Sequence, residues 1–228
     1  MNLGIDFGAV LVFAVLAKFD LDKKSELEEK VEAKIERKKE QKQLVKGMRE
    51  REKVLGTLKL AIQVSAQPGG DTREASVKEL QAGARQHMIL VIGPKKACRD
   101  ALVGANLLKM DFAMSNVLVV PYETDSDDML LASTGGGAGF GERPLYETQP
   151  YVARPAGDLD EWADYVKAEM KDAVAQSGEK AREEGIAVVV ANTGKVIRRG
   201  VGKVPWRQMV EELDTSVVGG AEEKSGIF

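Results

Sequence analysis

Apolar and polar residues follow each other along this chain in four regimes. Leu3 to Phe19 carries one charge before Lys18, Asp6, and holds the unbroken apolar run Phe7 to Ala17. From Lys18 to Lys53 nearly every other residue is charged, and Leu27, Val31 and Ile35 recur every four residues. That spacing predicts a long solvated helix with one narrow apolar stripe, begun at Ser25 and Glu28 in the manner of a capping box. Strand and helix periods then alternate as far as Leu213, and a short tail closes the chain. The division expected is an apolar anchor over 1–19, a charged helical stalk over 20–55, a folded domain over 56–213 and a flexible tail over 214–228.

Within the domain, Leu58, Leu60, Ile62 and Val64 alternate with polar residues and predict a strand, broken by Gln67-Pro-Gly-Gly-Asp71. Val77 and Leu80 suit one face of a short helix over 71–83, capped by Asp71 or Thr72. His87 to Gly93 is apolar after its first residue, as a strand covered on both faces should be. Pro94 opens a helix through Met110 with Ala97, Ala101, Leu102, Ala105 and Leu108 inward. Val117 to Val120 follows as a second covered strand, so the pair should be parallel neighbours across a crossover. Residues 122–156 turn polar and Gly-rich and are expected to form an exposed excursion. A helix from Asp158 to about Glu184 carries Trp162, Tyr165, Val166, Met170 and Val174. Ile186 to Ala191 and Lys195 to Val201 make a hairpin about Asn192-Thr-Gly194, and Pro205-Trp206 starts a last helix. This order is close to an α/β, thioredoxin-like plan: a mixed sheet with helices on both faces, ending in a hairpin and a terminal helix.

The apolar amino-terminal segment would make a helix of about 25 Å, enough to cross a bilayer if its flanks snorkel. Met1 to Gly8 has no Lys or Arg and the run ends in Lys18, which fits an anchor better than a cleaved signal. The basic residues all follow the segment, so the bulk of the chain is expected on the cytosolic or stromal side. Asp6 can lie at the headgroups, face a protein partner, or coordinate a pigment metal; that last option is the sole cofactor contact the sequence suggests.

Composition narrows the chemistry. The 228 residues carry a net charge of -3 with 43% apolar and 5% aromatic residues, which leaves no nucleic-acid footprint. A single cysteine, Cys98, excludes an internal disulfide or dithiol motif, and a single histidine, His87, leaves no histidine-rich metal site. His87 reads as an ordinary strand-end residue. Cys98 sits near the start of the helix opened by Pro94 and is expected to be a buried, inert thiol. The run Gly135 to Gly141 lacks the Gly-Lys-Ser/Thr and the helix that a phosphate-binding loop needs.

Three stretches carry a family resemblance: Asn2-Leu-Gly-Ile5 with the charged belt; Met88-Ile-Leu-Val-Ile-Gly-Pro-Lys95 with Val117-Leu-Val-Val-Pro121; and Gly194-Lys-Val-Ile-Arg-Arg-Gly-Val-Gly-Lys-Val-Pro-Trp206. The last is the most specific. Together they resemble the carboxy-terminal region of the Low PSII Accumulation family, also called the REP family of chloroplast photosystem II repair factors. The family carries tetratricopeptide repeats and a pair of membrane segments, where this sequence shows no 34-residue repeat and one apolar segment. In the third stretch Gly194, Val196, Arg198, Gly200, Gly202, Pro205 and Trp206 match the family-like motif. Their glycines read as turn and bulge positions with positive φ, Trp206 as a lock for the last helix, and Arg198 as the exposed contact.

The resemblance implies a factor on the stromal face of the chloroplast thylakoid membrane that binds photosystem II core subunits during assembly or repair and is not an enzyme. A permanent accessory subunit of a photosystem-antenna complex is the alternative. A single-Cys thioredoxin-like redox protein is the second.

Overall fold

The computed structural model describes residues 34, 35, 38, 39, 42, 46–64, 71–125 and 144–222. The expected anchor with Asp6, the beginning of the stalk, the glycine run 135–141 and the last six residues lie outside the described residues. Among the described residues no helix is long and apolar enough to cross a membrane.

The chain divides into two units, Met1–Glu50 and Arg51–Phe228. In the first, the described residues are helical, with an exposed Lys46–Glu50 pair at 4.0 Å one turn apart. The second begins with a helix over residues 51–57, α1, which buries Leu55 and leads into buried Leu58.

The strand read from Leu58 to Val64 is β1, Lys59–Gln63. It does not join the main sheet. It pairs antiparallel with β2, Thr72–Ser76, and with β5, Arg154–Ala156, in a three-stranded sheet of order β2-β1-β5. The helix expected over 71–83 is therefore corrected, since its first half is the strand β2. Helix α2 starts only at Val77 and runs to Ala84. The cause is Ser76: its hydroxyl accepts from the Glu79 N–H at 3.2 Å while the Ser76 N–H donates to the Glu79 carboxylate at 2.8 Å. This capping box fixes the start better than Asp71 or Thr72 could.

The four-stranded sheet has order β4-β3-β6-β7. Strand β3, His87–Gly93, lies parallel to β4, Val117–Glu123, in register from His87 opposite Val117 to Gly93 opposite Glu123. The crossover expected between them is present. It consists of α3, Lys95–Ala105, a 3-10 turn, Asn106–Leu108, and α4, Lys109–Met114. Pro94 stands one place before α3, with extended backbone at φ -62° and ψ 153°. The helix expected over Asp158 to Glu184 is two, α5 at Leu159–Ser177 and α6 at Lys180–Glu184, parted at Gly178. Strand β6, Ile186–Val190, pairs antiparallel with β3 and with β7, Val196–Val201. Helix α7, Trp206–Glu222, closes the domain and runs past the expected end at Leu213.

Alternate residues of the central strands feed two cores. Met88, Leu90, Ile92, Val120 and Val188 pack with Trp162, Tyr165 and Val166 of α5 on one face. Ile89, Val91, Val119 and Val189 pack with Leu102, Phe112, Trp206 and Met209 on the other. The excursion expected over 122–156 is shorter at both ends. Tyr122 is buried in β4, and Tyr151, Val152 and Ala153 are buried, with Val152 bridging Val119 in parallel.

Candidate functional site

The motif Gly194 to Trp206 folds as a hairpin arm locked to both cores. Gly194 closes the turn at φ 81°, its N–H donating to the Ala191 carbonyl at 2.9 Å. Gly202 leaves the arm at φ 88°, a conformation that favours glycine, and packs against the Glu184 carboxylate. Gly200 differs from the expectation. It has no positive φ and is a regular β7 residue opposite Ala187, where an added Cβ would meet Met209 at an ordinary 3.7 Å. The bulge falls instead between Val189 and Val190, opposite Val196 to Arg198.

The arm's polar groups are engaged within the domain. The Val196 N–H donates to Glu52 Oε1 at 2.9 Å, which fixes α1 to the start of β7. Arg198, expected as an exposed contact, is only one-third exposed and donates from Nη1 to Glu212 at 2.5 Å. Arg199 turns to the opposite core and grips Glu169 through Nε at 2.7 Å and Nη2 at 3.0 Å. Arg51 reaches the same carboxylate at 3.9 Å and Asp172 at 2.6 Å. Pro205 accepts from the Met209 N–H at the head of α7. Trp206 Nε1 donates to the Ala101 carbonyl at 3.1 Å, its ring edge-on to Phe112 at 5.5 Å. Gly104 faces that indole where a Cβ would be crowded at 3.3 Å. The motif residues are brought together in the fold, but as joints between elements.

Cys98 lies one turn into α3, at the carboxyl ends of the parallel strands β3 and β4. Open α/β sheets place their chemistry at this edge. Its thiol is 1% exposed and faces the carbonyls of Tyr122 at 3.4 Å, Gly93 at 3.5 Å and Val91 at 3.6 Å. Burial, with the negative charges of Glu123 and Asp125 added, pushes the thiol up to about 12. At neutral pH the group is therefore held as the thiol, not the thiolate that thiol chemistry needs. His87 opens β3, buried, its Nδ1 accepting from the Asn192 N–H at 3.2 Å, and burial lowers its pKa. Among the described residues no group of His, Cys, Asp and Glu is placed to hold a metal ion.

A feature missed in the sequence lies on the outer side of the crossover. Leu102, Ala105 and Phe112 point inward, while Val103, Leu107, Met110 and Met114 stand 52%, 87%, 67% and 78% exposed. The backbone between α3 and α4 stays helical through Asn106 and breaks at Leu108, at φ -115° and ψ 19°. Two of the four large apolar residues lie before that break and two after it, and exposed apolar side chains gathered in one stretch mark interaction surfaces. Their four-three-four spacing was visible in the sequence beside the buried stripe.

Sheet, crossover, hairpin and terminal helix define a mixed α/β protein of thioredoxin-like fold, as the element order predicts. No protein-family model and no curated protein matches the chain. Solved structures of similar fold include the mitochondrial 2-Cys peroxiredoxin of Plasmodium falciparum, at 12% identity and TM-score 0.45 over 75% of this chain and 94% of that one. AhpC of Mycobacterium tuberculosis matches at 12% identity and TM-score 0.38, covering 69% of this chain and 90% of its own. Thioredoxin peroxidase I of Plasmodium yoelii gives 14% identity and TM-score 0.40, covering 75% and 90%. The expectation that the chain is not an enzyme is corrected at this point. One of the structures matched is a thioredoxin peroxidase by name.

Proposed function

We propose that this chain holds a photosystem II core subunit against its thioredoxin-like domain while the photosystem is assembled or repaired at the thylakoid membrane. The observation that carries the holding role is the apolar ridge of Val103, Leu107, Met110 and Met114. Leaving four such side chains in water sacrifices roughly 1.5 kcal/mol or more each relative to burial, and a partner's apolar helix recovers it. A newly inserted membrane subunit offers apolar helices of that kind. The resemblance of Gly194 to Trp206 to the photosystem II repair family supplies the partner class, and the apolar segment over 3–19 supplies the membrane. In the wider complex the same surface serves a permanent accessory subunit equally well, and stoichiometry separates the two.

A photo-reactive amino acid placed at Leu107 tests the reading in intact membranes. Capture of a photosystem II core subunit supports it, and irradiation that captures no photosystem subunit overturns it.

One observation favours the second reading, a single-Cys redox protein: Cys98 stands at the carboxyl edge of β3 and β4, in the first turns of α3. Its burial means that such chemistry requires the loop edge to open. A Cys98→Ser chain that still assembles but loses function in membranes supports this reading, and one that works unchanged removes it.

A further inference from the structure

The hairpin turn between β6 and β7 is held by side chains from two other elements. His87, the chain's one histidine, is buried at the start of β3, and its Nδ1 accepts the Asn192 N–H at 3.2 Å. Gln81 of α2 donates from Nε2 to the Ala191 carbonyl at 3.2 Å. A ring nitrogen that accepts carries no proton, so the proton of the neutral ring sits on Nε2. Of the two side chains that hold the turn, one can change its charge.

We propose that His87 is a proton-operated latch on the hairpin turn over 191–195: the neutral ring holds the Asn192 N–H, and the protonated ring, a donor at both nitrogens, releases it. The release stays local. Beyond the turn, β7 is fastened by Glu52 on the Val196 N–H, by Arg198 on Glu212 and by Arg199 on buried Glu169. Asp214 of α7 favours the charged ring, but it is exposed and bonded by the Ser115 hydroxyl at 3.3 Å. Arg85 at the end of α2, Asp111 of α4 and Lys195 of the hairpin are exposed as well, and β4 sets the apolar Val117 opposite the histidine. Burial outweighs Asp214 and holds the ring below its ordinary 6.5. Because the folded value lies below the unfolded one, the hold is complete above about pH 6.5 and is lost as pH falls through the lower value.

The full chain in mild detergent, with its histidine labelled by heavy nitrogen, gives a single ring to follow by NMR, and deuterium exchange read by mass spectrometry follows the turn. At about pH 7.5 the ring should show a bare Nδ1 and a protonated Nε2. As the ring titrates below about pH 6.5, protection at Asn192 and Gly194, corrected for the intrinsic pH dependence of exchange, should fall about tenfold in step with it, while β3 and α5 stay protected. A proton on Nδ1 at neutral pH overturns the latch. So does a ring that charges with the turn still protected, or one that charges only as the whole domain unfolds. Asp214→Asn, an exposed change, should move the midpoints of ring and turn down together, and a ring midpoint that moves without the turn's overturns the coupling. His87→Asn, whose amide oxygen replaces Nδ1 and does not titrate, should keep the turn protected to about pH 5, and a turn that still opens with the wild-type pH dependence overturns the proposal.

Discussion

Glu169 and Arg199 are joined by two hydrogen bonds of 2.7 and 3.0 Å, with the carboxylate wholly buried and the guanidinium reaching it from the hairpin. Arg51 approaches from α1, so one buried charge ties together α1, α5 and β7. Glu169→Gln leaves Arg199 with a neutral partner and should lower unfolding free energy by about 3 kcal/mol in urea melts. Arg199→Lys keeps the charge but loses the two-pronged grip, and should cost about 1–2 kcal/mol. A Glu169→Gln chain as stable as the wild type would show that the cluster is ornamental.

Gly185 defines a second joint. Its φ of 78° and ψ of -179° suit glycine alone, and an added Cβ would sit 2.7 Å from the Ile92 carbonyl oxygen. Gly185→Ala should destabilise the domain by at least about 2 kcal/mol, with amide exchange rising first at the ends of β3 and β6. Gly178→Ala is the informative partner, since the added Cβ meets nothing within 4 Å and backbone strain alone is charged to it.

Cys98 makes stability depend on alkaline pH. Its folded pKa is raised from 9.0 to about 12, so the neutral thiol belongs to the folded state. Below about pH 9 both states are protonated and nothing is lost. Between about pH 9 and 12 the unfolded chain ionises first and stability falls, by at most about 4 kcal/mol from this group. Tyr151, also pushed up to about 12 by burial, adds to the fall. Urea titrations across that window should show the decline, and Cys98→Ala should lessen it, leaving the part due to the buried tyrosines. At pH 8 a thiol reagent should leave native Cys98 unmodified and label it fully in denaturant; rapid native labelling would contradict the sealed geometry.

Trp206 reports on the last helix. Trp206→Phe keeps ring contact with Phe112 but removes the bond to the Ala101 carbonyl, and should cost about 1–2 kcal/mol. Near-ultraviolet circular dichroism and thermal melts check this, and an unshifted midpoint would contradict the lock.

Local signals made much of this fold legible. Apolar runs announced β3, β4 and β6, the helical crossover announced the parallel pairing of β3 with β4, and Asn192-Thr-Gly194 announced the hairpin. What escaped reading depends on distant partners. Thr72 to Ser76 is a polar strand with no alternation, formed because β1 pairs with it, and β1 in turn takes Arg154 to Ala156 from across the chain. Gly185 matters only because Ile92 and Gly93 pass beside it. Arg198 looked like a free contact because Glu212 lies on a later helix. The exposed ridge was legible by spacing, yet the buried stripe on the same helix drew the eye, since periodicity tells which residues share a side and not which side is covered.

The central claim is that this domain holds a photosystem II subunit on its crossover ridge. The most direct measurement purifies carboxy-terminally tagged chain from gently solubilised thylakoid membranes, separates the complexes in native form and quantifies their subunits by mass spectrometry. The ridge variant Leu107→Asp, Met110→Asp is carried in parallel. The account predicts less than one copy of the wild type per incomplete photosystem II complex, and loss of that association in the variant. Recovery with no photosystem II subunit, or undiminished association of the variant, would contradict it.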